Sequence, residues 1–417
     1  MRKNARNSPK SLRFVAKIPD MQRVASRLNK LSESQTLAMT RISREMRAKG
    51  IDVISLSIGE PDYDTPDYIK TAAKKAIDEN FTHYPPVAGI PELREAVCVK
   101  LKRDNHLEYQ ANQIVISTGA KQSLANVILS LVDEGDEVIV PIPYWVSYIE
   151  LIKLADGIPV FIPSGVEQDF KITAQQLKAA ITPATRMVML NSPGNPSGAV
   201  YSKQEMDELV AVLVQCPNVL VLSDEIYEYI NFSGEHFSPA QNEALKDRVI
   251  IVNGVSKGYA MTGWRIGYIA APRWIAEACE KMQGQITSGT CSIAQKAAVD
   301  ALLAPREKIS YMQEGFLKRR DLCLKLIAEI PYFKTPQPDG AFYLFPHVAQ
   351  LYGKKFNGTE IKNSHDLCMY FLNEAHVALV SGDAFGDGEC LRISYATSEE
   401  KLIEAMSRLK NAVLKLQ

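Results

Sequence analysis

The spacing of apolar and polar positions changes several times along this chain. Short, nearly unbroken apolar runs occur at QIVIST (113–118), DEVIVPI (136–142), TRMVMLN (185–191), NVLVLSD (218–224), VIIVN (249–253) and IGYIAA (266–271), and each reads as a buried strand. Between several of them the period lengthens to that of an amphipathic helix, as in SKQEMDELVAVLVQ (202–215). Such alternation predicts an α/β fold, a mostly parallel sheet covered by helices.

From about residue 305 the pattern changes. A helical stretch, SYMQEGFLKRRDLCLKLIAEI, leads to GAFYLF (340–345), a helix near HDLCMYFLNEA, then VALVSG, LRISYA and a final amphipathic helix. Fewer strands, separated by helices, predict a smaller α+β domain. The expected organisation is a large domain over 61–304 and a small C-terminal domain over 305–417, which the segment 21–60 joins. Residues 1–20, MRKNARNSPKSLRFVAKIPD, form a basic tail without the apolar core of a secretory signal. It is expected to be disordered and is assigned no function.

Composition removes whole classes of function. With 417 residues, 46% of them hydrophobic, the chain can bury a large core. Lys+Arg and Asp+Glu both number 48, so no charge excess points to nucleic acid or an anionic membrane as partner. No run approaches the roughly 18 apolar residues of a membrane span, and the expected location is the cytoplasm. The seven cysteines are scattered without a CxxC pair, which fits reduced thiols and gives no reason to expect a metal.

Candidate chemistry gathers where the strands stop. In open α/β sheets, ligands bind at the carboxyl ends of the strands, where loop amides and helix N-termini face one crevice. Here Gly119-Ala120-Lys121 follows the first run, Pro143-Tyr144-Trp145 the second and Asn191 to Pro196 the third; Asp224 ends the fourth, and Ser256-Lys257 follows the fifth. Each has an ordinary reading as well. The Ser-Thr-Gly-Ala stretch can be a plain turn, Asp224 a helix cap, Tyr227 and Trp145 core, and Arg265 half of a structural ion pair.

Taken together they describe a ligand that is flat, phosphorylated and an aldehyde. A buried lysine with a lowered pKa can form a Schiff base, and an acid is then needed opposite a ring nitrogen. Lys257 and Asp224 suit those parts. Trp145 offers a ring face, Tyr227 and Asn195 offer hydrogen bonds to a phenolic oxygen, and Ser256, Arg265 and the amides after Thr118 suit a phosphate. Pyridoxal 5'-phosphate has these features.

SIGEPDYDTP, HYPPVAGIPELREAV, PYWVSY, NSPGNPSGAVY, SDEIYEYI, VSKGYAMTGWRIGY, GAFY and RISYAT resemble, in that order and along essentially the whole chain after residue 21, the fold-type I aminotransferases of the aspartate aminotransferase family, in its aspartate/prephenate subgroup. The resemblance implies a seven-stranded, mostly parallel sheet in the large domain and pyridoxal phosphate carried on Lys257. It implies catalytic roles for Lys257, Asp224 and Tyr227, with Gly119, Ala120, Lys121, Trp145, Asn195, Ser256 and Arg265 also holding the cofactor. Arg392 would grip the substrate α-carboxylate, with Gly59, Lys121, Trp145 and Asn195 around the substrate and Lys121 facing a distal carboxylate. Tyr84 resembles a tyrosine that reaches the phosphate of a neighbouring subunit, which implies a homodimer with shared sites. The implied reaction is ping-pong transfer of an amino group from L-aspartate or glutamate to 2-oxoglutarate or oxaloacetate. Prephenate or broader specificity is the alternative, and a β-lyase a weaker one. A dehydrogenase is disfavoured because no G-x-G-x-x-G follows the first strand, and a DNA-binding regulator because the twenty-residue tail is too short for the module.

Overall fold

The computed structural model describes residues 24–33 and 35–417, so the basic tail at 1–20 lies outside the described residues. The described chain begins with a short 3-10 turn, then α1 (Gln35–Ala48) and a two-residue strand, β1 (Ile54–Ser55). Helices α2 (Asp67–Asp78) and α3 (Pro91–Asn105) lead to β2 (Ile114–Ser117), α4 (Ala120–Leu131), β3 (Glu137–Ile142), α5 (Ser147–Leu154), β4 (Ile158–Pro163) and α6 (Ala174–Ala180). There follow β5 (Thr185–Asn191), α7 (Lys203–Val214), β6 (Leu220–Asp224), β7 (Val249–Gly254), β8 (Gly267–Ala270), α8 (Arg273–Ile286) and α9 (Ser292–Leu303).

These strands form one seven-stranded sheet in the order β2-β8-β7-β6-β5-β3-β4, and only β8 runs against its neighbours. The order explains the sequence pattern. Central β6 and β7 are buried at every position, so both faces are apolar and no polar alternation shows. Successive side chains still point to opposite sides. Val138, Val140, Met187, Met189, Leu222 and Val252 pack with α4, α5 and α8, while Ile139, Val188, Leu190, Val221 and Ile251 join the core on the other face. Each such side chain is worth about 1.5–3 kcal/mol of burial. Strand β4 is the one member that the apolar runs do not show; it carries Pro159 and Pro163 and lies at the edge, where a missing N–H costs no ladder bond. Helix α7 starts at Ser202, whose hydroxyl accepts from the Glu205 amide while the Glu205 carboxylate accepts the Ser202 amide at 2.8 Å.

The C-terminal part comprises α10 (Ser310–Ile327), β9 (Tyr343–Leu344), a small hairpin of β10 (Lys355–Phe356) and β11 (Thr359–Glu360), α11 (Ser364–Tyr370), β12 (Val377–Ala378), β13 (Val380–Ser381), β14 (Leu391–Ser394) and α12 (Glu399–Leu414). An antiparallel sheet, β13-β14-β9, lies against α11 and α1 through β13, while α10 packs on α12. Strand β1 pairs in parallel with β12, Ile54 opposite Val377, so the first described strand is held by one of the last. All seven cysteines are free thiols. Among the described residues, no helix is long and apolar enough to cross a membrane.

Candidate active site

Six strands of the large sheet, β2 to β7, run in one direction, so their carboxyl ends open on the same side. There lies a cavity of about 420 Å³, lined by residues of both sheets and of the loops between. Gly59, Ala120, Lys121, Trp145, Asn195, Asp224, Tyr227, Ser256, Lys257, Arg265 and Arg392 all line it. Gly119 stands just behind, against Arg265. Tyr84 does not reach the cavity: it is 97% exposed.

Lys257 follows β7 and donates through Nζ to the Gly59 carbonyl at 2.6 Å. Burial pushes its amine down to about 8, with Glu60 opposing the shift and Arg392 and Arg265 adding to it. Asp224 ends β6. Its Oδ2 accepts a hydrogen bond from the buried Tyr148 hydroxyl at 2.6 Å and its Oδ1 one from the Ile226 amide at 3.3 Å. Burial pushes this carboxyl up to about 6, and the Tyr148 hydrogen bond works against that rise. Tyr227 lies three residues on, in the turn after the strand. Its hydroxyl is hydrogen-bonded to that of Tyr343 at 2.7 Å, and burial keeps the phenol well above its ordinary range.

The phosphate-like corner is built on backbone. Helix α4 begins at Gly119, which has φ +81° and supplies no side-chain cap, so the first amides of the helix are left for something outside it. Any Cβ at Gly119 would overlap the Arg265 guanidinium, which packs directly on this turn. Arg265 itself sits at φ +58° and donates to the Thr262 carbonyl at 3.0 Å. Lys121, in the first turn of α4, lies 5.0 Å from the centre of the Trp145 ring. Partial burial, then Arg265, lowers its pKa.

Arg392 approaches from the opposite side, within β14, and is almost completely buried. One terminal nitrogen donates to the Asn195 carbonyl oxygen at 3.0 Å and the other to the Ser57 backbone at 2.7 Å, which fixes the fork. Among the described residues its Nε is buried without a partner. Asn195 thus spends its side-chain oxygen on Arg392 and keeps its amide donors for the cavity. A Cβ at Gly59 would come within 2.7 Å of the Tyr343 hydroxyl, so this wall also requires glycine.

Three contributors carry no role assigned from the sequence. Tyr148, in the quoted PYWVSY, lies in the first turn of α5, where its amide donates to the Trp145 carbonyl at 3.0 Å and its ring packs edge-on against that of Trp145. Tyr343 lies inside the quoted GAFY. Asn191, whose side chain donates to the Asp224 carbonyl at 2.9 Å, ties the end of β5 to the end of β6.

The charge pattern is decisive for the ligand. Four cations, Lys121, Lys257, Arg265 and Arg392, line the cavity against one carboxylate, Asp224. Among the described residues, none of the four is in an ion pair within the chain. Such a site takes a ligand with several negative charges and one positive or proton-bearing point.

Residues 51–409 match the family model of class I and II aminotransferases. The probable aspartate/prephenate aminotransferase of Rickettsia bellii is 47% identical over 395 residues, covering 94% of this chain and 99% of the relative. The aspartate/prephenate aminotransferase of Cereibacter sphaeroides is 46% identical over 386 residues, covering 92% of this chain and 96% of its own. Among solved structures, the aspartate aminotransferase of Rhizobium meliloti superposes with a TM-score of 0.91 at 44% identity, covering 95% of this chain and all of that one.

Proposed function

Because this chain belongs to the class I and II aminotransferases, we propose that it moves an amino group from L-aspartate or glutamate to 2-oxoglutarate or oxaloacetate, with pyridoxal 5'-phosphate as its cofactor. The observation that carries this reading is the excess of cations around a single buried carboxylate, because that set matches the cofactor group by group. The uncapped start of α4, Ser256 and Arg265 suit its phosphate, with the Gly119–Ala120–Lys121 backbone as cradle. Asp224, desolvated and without a cation, suits a protonated ring nitrogen. Tyr227 and Asn195 offer donors to the ring oxygen, and Trp145 a face for the ring. Tyr84, too far out to serve its own cavity, fits a role at the phosphate of a second copy, so a homodimer with shared sites belongs to the same reading.

When bound, the cofactor supplies a carbonyl carbon for exchange of amines and an electron-poor ring that accepts the charge left at the substrate Cα. The chain's own residues do the rest. Arg392 binds the α-carboxylate with a fork held rigid by Asn195 and Ser57. With its pKa near 8, the Lys257 amine can both take a proton from the substrate Cα and return it on the other side of the reaction. Asp224 stays ionised with the help of Tyr148, and so keeps a proton on the nitrogen opposite. Lys121, lacking an anion of its own, offers a partner for the distal carboxylate of a dicarboxylic substrate. The two half-reactions use one site in turn, so the kinetics are ping-pong.

Prephenate as an amino acceptor is the second reading, favoured by the names of the Rickettsia bellii and Cereibacter sphaeroides relatives. The large domain at 61–304 and small domain at 305–417, with 21–60 joining the latter, belong to this reading too, and the β1–β12 pairing supports the last point. A panel of donors and acceptors that includes prephenate tests it. Release of oxaloacetate from aspartate with conversion of the cofactor to its amine form is expected; a cofactor-loaded protein inert toward both aspartate and glutamate would overturn it.

A further inference from the structure

The turn that follows β6, Asp224-Glu225-Ile226-Tyr227-Glu228, has two working faces. Asp224 and Tyr227 look into the cavity. Glu225 and Glu228, each one residue further on, look the other way, into a pocket of the core that none of the roles above uses. There the carboxylates and His236 lie within 4.8 Å of one another, and Lys100 from α3 completes the group. Lys100, Glu225 and Glu228 are buried, the first two to within 1%, and the His236 side chain is 7% exposed.

Three of the four carboxylate oxygens of this group are hydrogen-bonded, and the fourth, Glu225 Oε2, faces His236 alone. Glu228 takes the Lys100 ammonium on one oxygen and the Asn105 amide at 2.8 Å on the other, while Lys100 also donates to the Asn105 oxygen at 2.7 Å. Glu225 accepts from Ser223 at 2.8 Å and Ser238 at 2.6 Å on Oε1, and its Oε2 lies 3.0 Å from His236 Nε2. A metal ion would find only Glu225 Oε2 and one imidazole nitrogen unshared, two donors where zinc or calcium needs four or more. Charge balance gives a different answer. Lys100 against two carboxylates leaves one negative charge uncompensated in the core, and a proton on His236 brings the sum to zero.

We propose that Lys100, Glu225, Glu228 and His236 form a buried, charge-neutral tetrad that positions Asp224 and Tyr227, and that it stays neutral only while His236 is an imidazolium. The proposal rests on the reading that Asp224 and Tyr227 serve the cofactor. The four are positioning residues: they touch no ligand, and they act through the backbone of a five-residue turn whose other side is the active site. Burial alone would push the His236 imidazole down, but Glu225 and then Glu228 outweigh it, against Lys100, and hold it above its usual value. The other ionisable groups packed around the tetrad do not titrate near neutrality. Asp104 of α3 is paired with Arg103 at 2.7 Å and accepts from Tyr229, and burial holds Tyr109, Tyr229, Tyr259 and Tyr268 above the ordinary phenol range. A raised histidine stabilises the fold below its unfolded value, and that contribution is lost as pH rises through the folded one. The tetrad therefore weakens on the alkaline side.

The test compares the full-length wild type with His236→Gln and with the double variant Glu225→Gln/His236→Gln, measuring the dissociation constant of pyridoxal phosphate from pH 6 to 9. The single variant carries the unbalanced charge at every pH, so its cofactor binding is expected to weaken by about tenfold or more at pH 7 and to lack the alkaline fall expected of the wild type. The double variant is neutral again and is expected to recover most of the affinity. Wild-type affinity in His236→Gln, or a double variant as weak as the single, would overturn the tetrad while leaving the cofactor reading intact. A wild type that binds no pyridoxal phosphate would overturn that reading and the tetrad with it. Nitrogen-15 spectra of labelled histidine in the wild type serve if a variant does not fold: two protonated nitrogens on His236 at pH 7 are expected, and a neutral ring there also overturns the proposal.

Discussion

The two sheets supply one cavity in different ways. The seven-stranded sheet delivers its residues from beyond its strands: Gly119, Trp145, Asn195 and Lys257 all sit in turns that begin where β2, β3, β5 and β7 stop, and Asp224 is the last residue of β6. The three-stranded sheet delivers from within. Arg392 is opposite Val380 in the middle of β14, and Tyr343 is opposite Ser394 in β9. Loop residues can be exchanged without disturbing the ladder, whereas a strand residue also holds the core that surrounds it. The large sheet is thus suited to chemistry and cofactor, the small sheet to a fixed anchor for whatever the substrates share.

Substitutions can break that division. Lys257→Ala should cost the most, roughly 10²–10⁴-fold in turnover, because the group that moves the proton is gone. Borohydride should then no longer fix the cofactor to the chain, and a variant still modified and fully active would end the assignment. Arg392→Ala should lower kcat/KM by about 2–5 kcal/mol while the cofactor dissociation constant stays where it was. Loss of cofactor along with substrate affinity would erase the distinction between the sheets. Lys121→Ala sharpens the comparison from the loop side. At saturating cofactor, a loss of about 1.5–3 kcal/mol is expected for aspartate and glutamate and little for phenylalanine; equal losses would return Lys121 to the scaffold. The smallest effect concerns pH. With the Lys257 amine at about 8, the neutral, nucleophilic form falls away below that value. The rate at which the cofactor-free protein takes up pyridoxal phosphate should rise about fivefold from pH 7 to 8 and then level off; a flat profile, followed by absorbance, would count against a desolvated amine.

The same contrast decides what could be read from the sequence. Residues at the ends of central strands announce themselves, because Gly, Pro, Asn and Asp interrupt an apolar run for a visible reason. Lys257 and Asp224 belong to that class. Strand β4 escaped because its two prolines and half-exposed pattern imitate a loop, and only its place at the sheet edge makes them harmless. In the C-terminal part, β9, β12 and β13 have two residues each, too few to show a period of two. Arg392 entered through resemblance, not through its own pattern. Tyr148 and the tetrad were hidden for another reason: a buried hydrogen bond joins residues far apart in the chain, and composition carries no trace of which ones meet.

The β1–β12 ladder also sets an order of events at birth. Ile54 waits for Val377, 323 positions later, so at ordinary synthesis rates roughly a quarter of a minute to a minute separates the two on the ribosome. Just past β1 lie the Ser57 and Gly59 carbonyls that receive Arg392 and Lys257. The large sheet can form early, with its strand ends open, but these two clasps close only when almost the whole chain has emerged. A nascent or prematurely ended polypeptide therefore lacks a finished cavity, and completion of the chain is itself the step that makes it competent.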